Sequence, residues 1–167
     1  MTEPARKPLD ALELLMQDHR EMESLISEFE HLQSRRGETG PVTAAACAEL
    51  KIHDTLENDI FYPAVSDATD DKEIGALLDE AEDDHDTVLE LIEKLEHTGT
   101  DHKQRDAYFS IIAEHVKHHV LAEEAELFPM VRKLKQLDLD ALADAMKERK
   151  ARLIADEGYA EAPEETV

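Results

Sequence analysis

Residues 12–29 read LELLMQDHREMESLISEF. Leu12, Leu15, His19, Met22, Ile26 and Phe29 follow one another at steps of 3, 4, 3, 4 and 3 residues. That spacing is the seam of an amphipathic helix packed in a bundle. One member of the seam is a histidine, at a place where a bundle ordinarily buries an aliphatic side chain. Pro8 and Asp10 suit the start of this helix, while Gly37 and the Gly40-Pro41 pair punctuate its end.

The stretch has a second copy. A shift of 66 residues carries Leu12, Leu15, His19, Met22, Ile26 and Phe29 onto Leu78, Ala81, His85, Val88, Ile92 and Leu95. The same shift carries Ala46, Leu50, His53, Glu57, Phe61 and Pro63 onto Ile112, Val116, His119, Glu123, Leu127 and Pro129. Identities fall at Asp18, His19, Leu25, Ile26, Glu30, His31, Lys51, His53, Glu57, Pro63 and Val65. Two helical hairpins of one design, packed face to face, predict an all-α fold: an antiparallel up-down four-helix bundle with approximate twofold symmetry.

The remaining boundaries follow from punctuation. A second helix begins near Pro41 and runs through the sixties, with Pro63 kinking or closing it. Thr69 and Asp70 are the expected caps of a third helix reaching about His97, and Gly99 ends it. A fourth runs from about Asp101 towards Lys135, again with a late proline, Pro129. Asp138 reads as the N-cap of a fifth helix whose Leu139, Leu142, Met146, Arg149 and Leu153 step by 3 and 4. The expected organisation is an N-terminal tail over 1–8, the bundle over 9–135, an additional C-terminal helix over 138–157 and an acidic tail over 158–167.

Composition removes several function classes. The chain has 167 residues, 41 acidic against 18 basic, and a net charge of −23. Phosphate binding needs a basic surface, so nucleic acid is an unsuitable partner, and an anionic membrane surface is equally unsuitable. No apolar run is long enough to span a bilayer, and the N-terminus has no apolar h-region of a signal peptide. Cys47 is the single cysteine, which excludes an intramolecular disulfide and a cysteine-based zinc site. The expected location is the cytoplasm.

Six repeated polar residues sit where polar residues rarely sit. His19 and His85 occupy core positions of their seams, and His53 with Glu57, like His119 with Glu123, are four residues apart on one helix face. Each element alone means little. A lone core histidine is usually hydrogen-bonded, and a His-x-x-x-Glu pair arises by chance in acidic helices. Their joint recurrence at one shift is the informative fact. Burying an unpaired carboxylate costs several kcal/mol, on the order of 3–5, and no lysine or arginine lies on these seams. A bound cation supplies both the missing charge and the missing bonds.

Four imidazoles and two carboxylates exceed one tetrahedral zinc and lack the oxygen count calcium wants. Two ions sharing the carboxylates use every ligand. Mixed imidazole and carboxylate ligation suits redox iron first and manganese next, and zinc can load by affinity alone.

Both hairpins resemble the hemerythrin-like, or HHE cation-binding, proteins. The resemblance rests on Gln17-Asp18-His19 and His53-Asp-Thr-Leu-Glu57 running into Phe61-Tyr62-Pro63, then on Asp84-His85 and His119-Val-Leu-Ala-Glu123 running into Leu127-Phe128-Pro129. It covers about Leu9 to Lys135. It implies two iron ions with an oxo or hydroxo bridge, ligated by His19, His53, Glu57, His85, His119 and Glu123, with Glu57 and Glu123 bridging. Oxygen-carrying hemerythrins have His-x-x-x-His on the third helix, whereas Leu89 lies four after His85 here. Their His-x-x-x-x-Asp spacing on the fourth helix lands on Glu124, which stays as the alternative to Glu123. The arrangement looks more like the non-carrier branches, associated with peroxide decomposition, nitric oxide chemistry and iron sensing or handling.

His115, four before His119, is an auxiliary candidate as a ligand or as a donor to a bridging carboxylate. Tyr62 and Phe128 line the access route or fill the bundle's end, and Asp18 and Asp84 are placed to orient the histidines that follow them. The leading expectation is a non-haem di-iron protein that binds or turns over a small oxidant, O2, peroxide or nitric oxide, with catalase-like turnover as the first enzymatic guess. The alternatives are an iron- or oxygen-responsive regulator or iron-handling protein, and a structural bundle stapled by metal.

Overall fold

In a computed structural model, the described residues are 2 and 4–157; the expected acidic tail over 158–167 lies outside them, as do Met1 and Glu3 of the expected N-terminal tail. The described chain is all helical. α1 (Ala11–Ser34) opens on Asp10, whose carboxylate accepts from the Glu13 N–H at 2.9 Å. α2 (Gly40–Leu56) passes through a π-helical turn (Glu57–Phe61) into α3 (Tyr62–Ala68). α4 (Lys72–Glu96) leads to α5 (His102–Ala122), which passes through a second π-helical turn (Glu123–Leu127) into α6 (Phe128–Arg132). α7 (Leu139–Glu157) completes the set. No helix among the described residues is long and apolar enough to cross a membrane.

Short connections over 35–39, 69–71 and 97–101 force neighbouring arms antiparallel. The caps follow the expected side-chain chemistry with one displacement. Asp101 accepts from the Gln104 N–H at 3.0 Å and Asp138 from the Ala141 N–H at 3.0 Å. α4 is capped not by Thr69 or Asp70 but by Asp71, which accepts from the Glu73 and Ile74 N–H groups. Thr69 instead closes α3 in an extended conformation, and its hydroxyl accepts from the Asp71 N–H at 3.1 Å. At the end of α1 the left-handed residue is Arg36 (φ 55°), not Gly37. Gly37 donates its N–H back to the Leu32 carbonyl at 2.8 Å, closing the turn.

Neither proline ends its helix. Pro63 and Pro129 fall in the first turn after a π-helical stretch, where the Tyr62 and Phe128 N–H groups reach back five residues to the carbonyls of Glu57 and Glu123. The widened turn absorbs the hydrogen bond and the space that a proline denies an α-helix. Both π turns begin at the repeated glutamates, so the distortion itself obeys the 66-residue repeat.

The core is split. One apolar cluster gathers Met22, Ile26, Phe29, Leu50, Ile92, Phe109 and Ile112; the other gathers Leu12, Leu15, Phe61, Tyr62, Leu78, Leu127 and Phe128. On every arm a repeated histidine or glutamate lies between the two. α7 lies against α1, α2 and the first π turn, with Ala143 and Met146 buried on its inner face.

Candidate metal centre

The six repeated polar side chains meet in the layer between the apolar clusters. His19, His53, Glu57, His85, His119 and Glu123 are all buried, and Glu57 has no exposed surface. Their ligand atoms form two overlapping groups. His19, His53, Glu57 and Glu123 offer atoms within 4.8 Å of one another, and so do Glu57, His85, His119 and Glu123. The two glutamates belong to both groups. His19 and His53 pair with ring centroids 5.0 Å apart, His85 and His119 with 4.7 Å.

Three of the four rings are held from behind by a hydrogen bond, and the fourth, His119, has a carboxylate farther off. The Nδ1 of His19 lies 3.0 Å from Glu124 Oε2, and that of His85 lies 3.0 Å from Asn58 Oδ1. The Nδ1 of His53 lies 3.1 Å from Asp18 Oδ2, and that of His119 lies 3.7 Å from Asp84 Oδ2. On a neutral ring, as at His19 and His85, an acceptor at Nδ1 fixes the tautomer that leaves Nε2 with its lone pair towards the centre, and a bound cation would require the same of His53 and His119. Asp18 therefore orients not the histidine that follows it in sequence but His53 on the neighbouring arm, while Asp84 stands near His119 without a hydrogen bond to it.

Glu57 sits beside His53, and Glu123 beside His119, in close ion-pair contact along their own helices. Tyr62, 1% exposed, donates its hydroxyl proton to Glu123 Oε1 at 2.9 Å, and its hydroxyl oxygen lies 3.3 Å from His85 Nε2. Phe128, at the repeat position of Tyr62, stacks on His19 as Tyr62 stacks on His85.

Burial pulls the His19 and His85 rings down to about 3, so both are neutral. Burial also opposes charge on His53 and His119, but adjacent carboxylates outweigh it and raise both well above the ordinary range. Glu57 resists burial because His53 and its fellow histidines hold it well below the usual carboxylate range. Glu123 does not: burial, reinforced by the Glu57 charge, pushes it up to about 8.

The donor set fits a metal. Of the buried side-chain nitrogens and oxygens left without a hydrogen bond among the described residues, all but Arg105 Nε lie in this layer: His19 Nε2, Glu57 Oε2, Glu123 Oε2 and Asp54 Oδ2 have no partner, while His53 Nε2 and Glu57 Oε1 have their ion-pair contact with each other. Unsatisfied buried groups of this kind cost about 1–3 kcal/mol each, and a cation satisfies several at once.

Two auxiliary candidates stand elsewhere. Glu124 lies behind His19 and pairs with Arg20, outside both groups of ligand atoms. His115 also lies outside them, next to Ser110, Ile111, Glu114 and His118 on the outer face of α5. Tyr62 does reach the centre. Sequence reasoning missed Asp54, Asn58 and Lys150. Asp54 is buried with Oδ1 at 3.6 Å from His85 Nε2, and burial pushes it up to about 7. Its repeat position is Val120, so no shift could flag it. Asn58 and Glu124 do share one shifted position and are both acceptors, a signal that identity counting discards.

No curated protein and no solved structure matches the chain. The family described as Hemerythrin HHE cation binding domain matches residues 10–131. With that match spanning the four-arm bundle and its buried His/Glu layer, the chain belongs to the hemerythrin HHE cation-binding family.

Proposed function

We propose that the chain is a non-haem di-iron protein that binds or turns over a small oxidant such as O2, peroxide or nitric oxide. His19 and His53 together with Glu57 and Glu123 would hold one ion, and His85 and His119 together with the same two glutamates would hold the other. The observation that carries this reading is the overlap of two four-residue ligand groups on the same two glutamates. Bound iron would supply the redox chemistry. The chain's own residues do the rest. The apolar clusters on either side keep bulk water from the layer. Glu124, Asn58 and Asp18 hold the His19, His85 and His53 rings so that each turns Nε2 to the centre. Tyr62 holds a proton at its hydroxyl oxygen beside Glu123 and His85. A narrow crevice between Leu77, Ala81 and Asp84 on one side and Ala122 and Leu127 on the other reaches His119 and Glu123. It is the supporting observation for passage of a small molecule.

Metal analysis of iron-reconstituted protein, with absorption spectra before and after peroxide, O2 or nitric oxide, tests the reading. About two irons per chain are expected, and replacing His53 or Glu57 by alanine should release metal. Folded protein that takes up no iron overturns it. Oxygen evolution on adding peroxide assigns turnover; a spectral answer to O2 or nitric oxide without turnover assigns binding. Iron-loaded protein whose spectrum answers to none of the three overturns the oxidant part.

A further inference from the structure

The two halves of the centre are held unequally, and the difference comes from outside the repeat. Asp18 Oδ2 faces His53 Nδ1 at 3.1 Å while its Oδ1 accepts from Lys150 Nζ at 2.9 Å. Both oxygens of this buried carboxylate are thus occupied, one by the ring and one by an ammonium group delivered by α7. The counterpart in the second half is looser: Asp84 stands 3.7 Å from His119 Nδ1, and its side chain is 27% exposed against 10% for Asp18.

Lys150 is no wandering surface charge. It lies one helical turn beyond Met146, whose side chain is 2% exposed in the bundle core, so the anchored face of α7 fixes where the ammonium group arrives. Burial disfavours its charge, yet Asp18 more than restores it and holds Lys150 above its ordinary value. On α7, Arg149 also reaches Asp59 in the first π turn, at 3.5 Å.

We propose that Lys150 is a positioning residue for the metal centre: by pinning Asp18 it locks the His53 ring and makes the ion on the α1/α2 side the more firmly held of the two. The inference rests on the di-iron reading above. A carboxylate clamped at both oxygens cannot rotate about its terminal bond, so the Nδ1–H···Oδ2 bond keeps one geometry and Nε2 keeps one direction. Partners that act on a metal ligand from behind typically change metal affinity by about 10–100-fold. α7 is then part of the site's machinery as well as a cover for the bundle.

The test uses the full chain loaded anaerobically with ferrous iron, with release followed through a coloured ferrous chelator. Wild-type protein should release iron in two phases. Lys150→Met, which keeps the aliphatic stem, should speed the slower phase about tenfold and leave the faster one alone. Lys150→Arg should restore it, and Arg152→Met, an exposed change on the same helix, should do nothing. Asp18→Asn should also speed the slower phase, and the Asp18→Asn/Lys150→Met double variant should release no faster than Asp18→Asn alone, because Lys150 acts through Asp18. Wild-type-like release from Lys150→Met, equal acceleration of both phases, or additive effects in the double variant would overturn the proposal while leaving the di-iron reading standing. Wild-type protein that takes up no iron would overturn both. If Lys150→Met lowers the helical signal of metal-free protein, Lys150→Arg and Asp18→Asn carry the comparison.

Discussion

His19 Nδ1 stands 3.0 Å from Glu124 Oε2, across the interface between the two hairpins, and the relation is mirrored by His85 and Asn58 at the same distance. In each case the acceptor is the residue immediately after a repeated glutamate. The π turn begins at that glutamate, so one backbone distortion aims two side chains: the carboxylate into the layer and its neighbour behind the opposite hairpin's histidine.

Removing the Glu124 acceptor should therefore weaken metal binding without unfolding the bundle. Glu124→Ala is expected to lower iron affinity by about 10–100-fold, and Glu124→Gln, which keeps an acceptor oxygen, by less. Competition with a chelator of known affinity measures it. Unchanged affinity in Glu124→Ala would mean that stacking on Phe128 alone orients His19.

Asp54 breaks the twofold relation, and its repeat partner Val120 suggests the test. A buried carboxylate with an unpartnered oxygen burdens the metal-free fold. Asp54→Val should stabilise metal-free protein by about 1–3 kcal/mol, raising Tm by about 2–4 °C per kcal/mol for a chain of this size. Thermal unfolding of metal-free protein at neutral pH reads the effect. A lower Tm would show that Asp54 already makes a favourable interaction with His85, 3.6 Å away.

Tyr62→Phe isolates one hydroxyl. The ring packing between Phe61 and His85 stays, and Phe128 shows that the bundle accepts phenylalanine at this position in the other half. The substitution removes one of two partners of Glu123 Oε1 and leaves it the His119 ring, so metal-free protein should lose about 1 kcal/mol. Iron-loaded protein should lose less, since a bound cation satisfies the same carboxylate. Equal losses in both forms would place Glu123 outside the metal's reach.

The arms and their faces were legible because burial imposes a period on the residues it covers. The 3-4 steps through Leu12 and Phe29 follow the observed buried face of α1, and Asp10, Asp101 and Asp138 cap because a short carboxylate reaches the free N–H groups of a first turn. The displaced cap at Asp71 shows the limit: three consecutive residues with side-chain oxygens are equivalent in sequence, and only packing selects one. The π turns were illegible because they are backbone events; the prolines signalled a disturbance but not its kind. At the site, the repeat exposed what the two halves share. Asp54 and Lys150 lie beyond that method, one because its counterpart is valine, the other because α7 has no counterpart at all.

Asp10 joins the first and last arms of the bundle. Its carboxylate caps α1 and accepts from Arg132 Nη1 at 2.9 Å, at the close of α6. Burial opposes its ionisation, but the Arg132 and Glu13 hydrogen bonds prevail and hold it below its ordinary value of 3.8. A carboxyl whose folded value is depressed contributes stability above the unfolded value and loses it as pH falls through the folded one. Asp10→Asn keeps a capping oxygen and removes the charge, so wild type should exceed it in stability at pH 6, and the gap should close as pH falls below about 4. Asp10→Ala removes the cap as well and should cost about 1 kcal/mol more. Urea unfolding of metal-free protein across that pH range provides the comparison. A gap between wild type and Asp10→Asn that stays constant down to pH 3 would show that the Arg132 pair contributes nothing to the fold.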